Sequence, residues 1–405
     1  MRSGTTPKDR GDGLEGEVIL LKTANIQDGF IDDSSLFLIS SEIDRRMSNT
    51  RLRGRDVLIN IVGATLGVIG RVAPLSTEIP PINITQAMAL IRITSPDFLP
   101  YYVSTFLLTG YGKGQVHRMA RPMGQYNINL QELQDVQIVR LPIEQQRVIQ
   151  KLVLASMVQK EQSKSLYAEA EALLLSELGL DDLDLSHQPT YTRSYSQAWA
   201  SGRWDAEYFQ PKYQLVLEIM GQSGKTIDNV ARLAKRRFEP RPGRPFQYIE
   251  IGDVGQAGHA ESKTVVGEEA PSRAQWVVKA GDVITSTVRP IRRLSALIES
   301  EQDDYVCSSG FAVLKPTAIE PEMLLVYLRL PVVCEILDLQ TSASMYPAIS
   351  TTDLLGVPIP IPPDGVRVRV VELVQESRRN RQEAKRLLEQ AKQRVEEMVL
   401  GEEAS

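Results

Sequence analysis

The chain has 405 residues, of which 42% are hydrophobic, 24% charged and 6% aromatic, so it is too apolar for a disordered chain and too long for one compact core. We therefore expect at least two domains. Its 46 lysines and arginines stand against 51 acidic residues, a net charge of −5, which excludes a uniformly basic nucleic-acid binder and requires any basic patch to be local.

An internal repeat organises the predicted elements. The first copy has a strand after a turn at 54–62 and a proline-led helix that follows residue 97. The second copy repeats the strand at 280–288, with Asp282 aligned on Asp56, and then repeats the helix. Because the order of elements is preserved, we expect two domains built on one plan.

Each copy ends in a long helix with a seven-residue repeat. The C-terminal helix carries two rows, which are Val374, Arg381, Leu388, Val395 and Ser377, Ala384, Ala391, Met398. The aligned rows of the central helix are Val153, Lys160, Tyr167, Leu174 and Ser156, Ser163, Ala170, Glu177. This pattern predicts that the two helices pair as an antiparallel coiled coil, each about 50 Å long. The alternative, that each helix packs only on its own domain, stays open at this point.

The domain boundaries follow from the repeat. They are predicted at 1–141 for a first globular unit, 142–180 for the central helix, 181–203 for a polar linker, 204–360 for a second globular unit and 361–405 for the C-terminal helix. Met1 aligns near Ala231, so the first copy looks short at its N-terminus, without the lead-in that precedes Ala231.

Several short motifs recur in a fixed order. They are Ser3-Gly4-Thr5-Thr6-Pro7-Lys8, the strands at 55–58 and 281–284, the glycine-bounded segment 63–70, Asn129-Leu130, the helix start Leu141-Pro142-Ile143-Glu144-Gln145-Gln146, and the segment 203–213 that opens the second half. No single motif is specific, but their duplicated order around two long helices covers nearly the whole chain. In this order the chain resembles the specificity subunits of type I restriction-modification systems.

This resemblance implies a mixed α/β (α+β) fold, a pseudo-twofold repeat of two target-recognition domains joined by an antiparallel pair of spacer helices. Each domain would read half of a bipartite sequence in double-stranded DNA. The chain would not be an enzyme, because methylation and cleavage belong to partner subunits in that family. The implied partners are two methyltransferase subunits, while a restriction or translocase subunit is left open. No cofactor is expected on this chain, since S-adenosylmethionine belongs to the partner methyltransferase.

The sequence shows no convincing catalytic motif. The segment 221–226 imitates the end of a phosphate-binding loop, but Ile219 stands where the first glycine is required. The Pro-Pro pairs at 80–81 and 362–363 lack the aromatic residue of an amino-methyltransferase tetrapeptide. Two cysteines and three histidines are too few for a zinc site or a disulfide framework. With a polar start and no apolar run of roughly 18 residues, we expect a cytoplasmic protein that makes no contact with a membrane.

Local basic tracts are the candidates for DNA binding. In the first copy they comprise Lys113, His117, Arg118 and Arg121, with Gln125, Tyr126 and Asn127 as neighbouring hydrogen-bonding groups. In the second copy they comprise Lys235, Arg236, Arg237, Arg241, Arg244, Arg289, Arg292 and Arg293. DNA recognition needs cations for phosphates, and Arg, Asn or Gln for base edges. The ordinary alternative is that these charges only solvate the surface.

Two other functions fit the sequence. The chain could be the recognition portion of a split methyltransferase or nuclease, in which case methyl transfer by the pure polypeptide would reveal it. It could also be a DNA-binding or scaffold subunit of another phage-defence system, and a scaffold would select no bipartite DNA motif.

Overall fold

A computed structural model describes residues 1–341 and 347–401 of the chain. The chain divides into two units. Unit 1 comprises Met1–Glu161 and Asn380–Ser405, and unit 2 comprises Gln162–Arg379. Residues 402–405 of the C-terminal helix predicted at 361–405 lie outside the described residues.

The elements from the N-terminus through the first long helix alternate short strands with helices. They are β1 Arg2–Ser3, β2 Val18–Leu21, β3 Ile26–Gln27, β4 Phe30–Ile31, β5 Leu38–Ile39, α1 Ser41–Arg46, β6 Val57–Asn60, β7 Val62–Gly63, β8 Val72–Pro74, β9 Ile82–Ile84, β10 Met88–Ile91, α2 Pro100–Leu108, α3 Gly110–Met119, β11 Arg121–Met123, β12 Gln125–Asn127, α4 Leu130–Gln134 and the long helix α5 Ile143–Glu177.

The remaining elements follow a similar order. They are α6 Tyr195–Ser201, α7 Pro211–Gly221, α8 Ile227–Val230, β13 Ala231–Leu233, β14 Pro245–Ile249, β15 Lys263–Val266, β16 Ala274–Val277, β17 Val283–Ser286, β18 Ser295–Leu297, β19 Val306–Ser308, β20 Phe311–Pro316, α9 Pro321–Arg329, α10 Pro331–Leu339, α11 Thr351–Gly356 and the long helix α12 Asp364–Leu400.

The two units share the topology of the main sheet and, in part, that of a second sheet. The main sheet has the order β1-β10-β6-β8 in unit 1 and β13-β20-β17-β18 in unit 2, with every pair antiparallel. A second sheet has the order β5-β2-β9 in unit 1 and β15-β14-β19-β16 in unit 2, and in each it contains one parallel pair, β2 with β9 and β14 with β19. The mixed α/β fold and the internal repeat predicted from the sequence are therefore confirmed, and the repeat extends to the order of strands.

A buried aspartate begins the equivalent strands β6 and β17. Asp56 and Asp282 are 2% and 3% exposed, and each accepts the backbone N–H of the residue three positions earlier, at 2.7 Å and 2.8 Å. The residue before each aspartate has a left-handed backbone, with φ +69° at Arg55 and +85° at Gly281. Glycine adopts this conformation freely and arginine does so at a cost. The two copies therefore share the left-handed turn and the aspartate that follows it, although the residue in the turn differs.

The long helices run antiparallel to each other within each unit. In unit 1 the Ser156 hydroxyl donates to the Ala384 carbonyl at 2.7 Å. In unit 2 Ser163 contacts Ser377 at 3.1 Å, and Glu169 pairs with Arg369 at 2.9 Å. Partners that lie later in α5 lie earlier in α12.

The predicted heptad rows lie on the buried side of these helices, except at Glu177, which is exposed at the C-terminal end of α5. Val153, Tyr167, Leu174, Val374 and Val395 are all at most 5% exposed. They belong to the cores that also contain the sheet-covering helices α2 and α9. Each helix therefore packs on a domain as well as on the other helix. The predicted antiparallel pairing is confirmed, and the alternative that each helix packs only on its own domain is wrong.

Different chemistry fixes the start of each long helix to the helix that covers the main sheet. In unit 1 the Gln146 amide accepts the N–H of Leu99 at 2.7 Å and donates to the carbonyl of Asp97 at 2.8 Å. In unit 2 Arg367 pairs with Glu320 at 2.5 Å. A neutral amide in one copy is thus replaced by an ion pair in the other.

Candidate nucleic-acid interface

In unit 1 three elements meet at the end of strand β7. Strand β12 pairs with β7, placing Tyr126 opposite Gly63, and β11 pairs with β12 as a hairpin. The loop after β7 returns over helix α3, where a Cβ at Gly70 would lie 2.8 Å from a methyl group of Val116. Gly70 has φ +74°, so glycine suits both the turn and the close approach. We call the loop 63–70, α3 and the hairpin β11–β12 junction 1.

Junction 1 contains all seven residues predicted from the first copy. Arg118, Arg121, Gln125 and Asn127 are exposed there, and Lys113, His117 and Tyr126 are half-buried. Two of the cations have carboxylate partners, since Lys113 pairs with Asp28 and Arg121 with Glu132.

Other polar groups at junction 1 lack partners within the chain. The side chain of Arg118 has no ion-pair or hydrogen-bond partner among the described residues. His117 Nε2 is buried, also without a partner there. Arg118 therefore presents an uncompensated charge beside the exposed amides of Gln125 and Asn127.

The equivalent place in unit 2 carries Arg289 and Arg292. Val288 bridges Ala348 as β7 pairs with β12, and the N–H of Arg289 donates to the carbonyl of Pro347 at 2.9 Å. The turn Pro290–Arg292 packs on helix α10. Both arginines are exposed. We call this loop with α10 and residues 347–349 junction 2.

Arg236 and Arg293 have structural partners instead. Arg236 pairs with the buried Asp282 and donates to the carbonyl of Val277 at 3.1 Å. Burial raises the pKa of Asp282 above its ordinary value, although the Lys279 N–H and Arg236 oppose this. Arg293 pairs with Glu171 of α5 at 2.5 Å. DNA contacts by these two arginines stay a prediction, but both side chains already hold parts of unit 2 together.

The other cations predicted in the second copy lie beside the second sheet. Lys235, Arg237, Arg241 and Arg244 are exposed. Arg237 bridges Trp276 of β16, and the carbonyl of Arg244 accepts the N–H of Gly267, which follows β15. The structure therefore assigns these four residues and the arginines of junction 2 to different elements.

The sequence analysis missed a pocket in unit 1 that is rich in arginine. This open pocket of about 560 Å³ is lined by Met1, Arg2, Ser48, Asn49, Arg51, Leu52, Arg53, Leu90, Arg92 and Thr94. Asp56 holds Arg92 at 2.6 Å and Asp44 holds Arg51, while Arg53 is exposed. Arg51 and Arg53 share one turn, whereas Arg2 and Arg92 come from distant parts of the chain, so the sequence does not indicate that the four lie together. Arg2 pairs with Leu90 in the main sheet, and this pairing places Arg2 in the pocket with the other arginines.

Residues 1–341 and 347–401 contain no group of three or more His, Cys, Asp or Glu side chains placed to hold a metal ion. Over the same residues, no helix combines the length and apolar character that crossing a membrane requires.

Comparison with curated proteins identifies two relatives. The chain is 27% identical over 161 residues to the type I restriction enzyme EcoBI specificity subunit of Escherichia coli, which is 38% of this chain and 33% of that protein. It is 23% identical over 155 residues to the HindI specificity subunit of Haemophilus influenzae, 37% of this chain and 33% of that protein. The matches thus span about a third of the length of these relatives. They confirm the resemblance found from the motifs, and no family model matches the chain.

Comparison with solved structures returns specificity subunits as well. The HsdS subunit from Thermoanaerobacter tengcongensis is 16% identical with a TM-score of 0.29, over 95% of this chain and 90% of that one. The S subunit of a type I restriction-modification system from M. genitalium is 11% identical with a TM-score of 0.42, over 97% and 92%.

Proposed function

We propose that the chain is the DNA-binding specificity subunit of a type I restriction-modification complex and reads a bipartite sequence, one half with each unit. The observation that carries this proposal is the repeated topology, in which equivalent junctions of both units expose cations. A chain that reads two separated half-sites needs two recognition surfaces of the same design. The two curated specificity subunits that the chain resembles support this function.

The exposed groups suit both parts of DNA recognition. Cations such as Arg118 and Arg241 serve phosphates and set the position of the duplex. Base edges in the major groove are read by side chains that form two hydrogen bonds at once. The candidates here are the amides of Gln125 and Asn127, which donate and accept, and the guanidinium of Arg292, which only donates. A two-stranded ribbon such as β11–β12 has dimensions that the major groove admits.

The chain itself carries no catalytic role in this proposal. Methyl transfer belongs to partner methyltransferase subunits, two per chain, which bind S-adenosylmethionine and methylate an adenine that is flipped out of the duplex held by this chain. Restriction or translocase subunits would join the same complex, in the cytoplasm. The names of the relatives, which are subunits of restriction enzymes, support dependence on partners.

A methyl-transfer assay tests this division of labour. The purified chain is incubated with double-stranded DNA and labelled S-adenosylmethionine, alone and with the methyltransferase that co-purifies with it. We expect no label in DNA from the chain alone, and label in adenine only when both proteins are present. Transfer by the chain alone would show an enzyme, and transfer by the methyltransferase that is indifferent to the chain would remove its role in specificity.

A further inference from the structure

The two junctions obtain their positive charge from elements that are not equivalent. In junction 1 the helix α3 supplies Lys113, His117 and Arg118, while the loop 63–70 contains no charged residue. In junction 2 the loop supplies Arg289 and Arg292, while α10 contains no lysine or arginine and carries Glu335 and Asp338. The two junctions therefore occupy equivalent positions in the fold, but the side chains that each presents for contact with DNA are different.

The loop in junction 2 also places arginine at two positions whose backbone conformation is unfavourable for a residue with a Cβ atom. Arg289 and Arg293 have left-handed conformations, with φ +50° and +59°. The topologically equivalent segment of unit 1 begins at Gly63 and ends at Gly70, and Gly70, with φ +74°, adopts such a conformation without the steric cost that a Cβ brings. Arginine in this loop is therefore not required by the turn. The side chain of Arg293 forms the ion pair with Glu171 and thereby joins this loop to helix α5.

Arg292 is the residue of this loop best placed to act outside the chain. It is exposed, it lies in the short turn held on α10, and its side chain has no ion-pair or hydrogen-bond partner within residues 1–341 and 347–401. A guanidinium presents two parallel N–H groups that match the O6 and N7 acceptors of guanine. No carboxylate of the described chain competes for them.

Junction 1 presents amides where junction 2 presents a guanidinium. Gln125 and Asn127 lie two positions apart on strand β12, so their side chains leave the same face, about 6.6 Å apart along the strand. Both are exposed. Amide side chains pair with N6 and N7 of adenine, and this separation is close to two base-pair steps of about 3.4 Å.

We propose that the two half-sites are read by different chemistry, with unit 1 reading adenine through Gln125 and Asn127 and unit 2 reading guanine through Arg292. This inference rests on the proposed function and adds the base class that each unit recognises. The charged groups of α3 serve the phosphates that flank the amide contacts.

Selection of bound duplexes from a randomised library, with the full chain and its variants, tests this inference. Arg292→Ala should lose one guanine position in one half-site, by about 5- to 150-fold in discrimination, and leave the other half-site intact. Arg292→Gln replaces the guanidinium with an amide, which pairs with adenine rather than guanine, so it should lose the same guanine. Gln125→Ala with Asn127→Ala should relax adenine in the opposite half-site. Arg232→Ala, an exposed arginine of strand β13 in unit 2 that lies outside every predicted DNA-binding tract, is the matched control and should change neither half-site.

The outcomes separate the inference from the proposed function. If the unaltered chain selects two half-sites but Arg292→Ala keeps every position, or relaxes one that is not guanine, the inference is wrong and the proposed function stands. An Arg292→Gln variant that preserves guanine would equally overturn it, because the guanidinium would then not be the group that reads this base. If the unaltered chain selects no motif, the proposed function itself fails.

Discussion

The buried serine pair between the long helices of unit 2 should stabilise the chain unequally. The Ser377 hydroxyl donates to the carbonyl of Ser163 at 2.7 Å, which leaves the Ser163 hydroxyl to donate to Ser377 Oγ at 3.1 Å. Both side chains are buried, at 1% and 4% exposure. Ser377→Ala therefore removes two hydrogen bonds and Ser163→Ala removes one.

The expected costs follow from this count. At about 1 kcal/mol for each bond, Ser377→Ala should lower the free energy of unfolding by about 2 kcal/mol and Ser163→Ala by about 1 kcal/mol. The double variant loses the same two bonds as Ser377→Ala, so its cost should be about 1 kcal/mol less than the sum of the single variants.

Urea unfolding followed by the helical circular dichroism signal measures these differences. Ser165→Ala is the matched control, because Ser165 is exposed on the same helix and the change reports only the gain in helix propensity, about 0.5 kcal/mol. Equal costs for the two single variants after this correction, or strict additivity in the double variant, would refute the assigned hydrogen bonds.

Three further outcomes are expected. Deleting one heptad from each long helix at matched positions shortens each by about 10 Å, so the selected half-sites should move about three base pairs closer at about 3.4 Å per base pair; an unchanged gap would show that these helices do not set it. Arg118→Ala with Arg121→Ala should reduce the slope of log affinity against log salt by up to about two units while the second half-site is still selected, and an unchanged slope and affinity would make this tract ordinary surface. The pKa of Glu320 lies below its ordinary value of 4.5, chiefly because Arg367 donates to it, so the pair stabilises above that value and the contribution is lost as pH falls through the lowered pKa; the loss in melting temperature caused by Arg367→Gln, worth under about 1 kcal/mol at pH 7, should shrink progressively as the pH is lowered below 4.5, and a loss that does not change with pH would contradict this.

Features set by local pattern could be predicted from the sequence. The aligned aspartates at 56 and 282 begin equivalent strands because a turn and a buried carboxylate recur together. The heptad rows predicted the buried face of both long helices, since side chains seven positions apart return to one side of a helix. The helix predicted at 142–180 is observed as Ile143–Glu177.

Features that depend on pairing over long distances could not be predicted. The arginine pocket needs β1 beside β10, which no local pattern specifies. The sequence also grouped Arg236 with Arg237 and Arg292 with Arg293 as neighbours in charge runs, whereas the structure assigns Arg236 and Arg293 to buried or half-buried carboxylates of other segments. Adjacency in sequence does not distinguish a cation held within the chain from one that faces solvent.

The strand order also relates elements of the two copies that the charge pattern does not relate. From the sequence, the basic tracts at 113–121 and 235–244 are assigned only to different copies of the repeat. The topology relates α3 to α10 and the loop 63–70 to the loop containing Arg289 and Arg292. Equivalence in the fold, rather than order along the chain, is what defines the two candidate reading surfaces.

The central claim is that one chain reads two separated half-sites, and selection from a randomised DNA library with the purified, unaltered chain tests it most directly. The account predicts two short constant blocks separated by a gap of fixed length and free sequence. A single contiguous block, or no enrichment of any sequence, would contradict it.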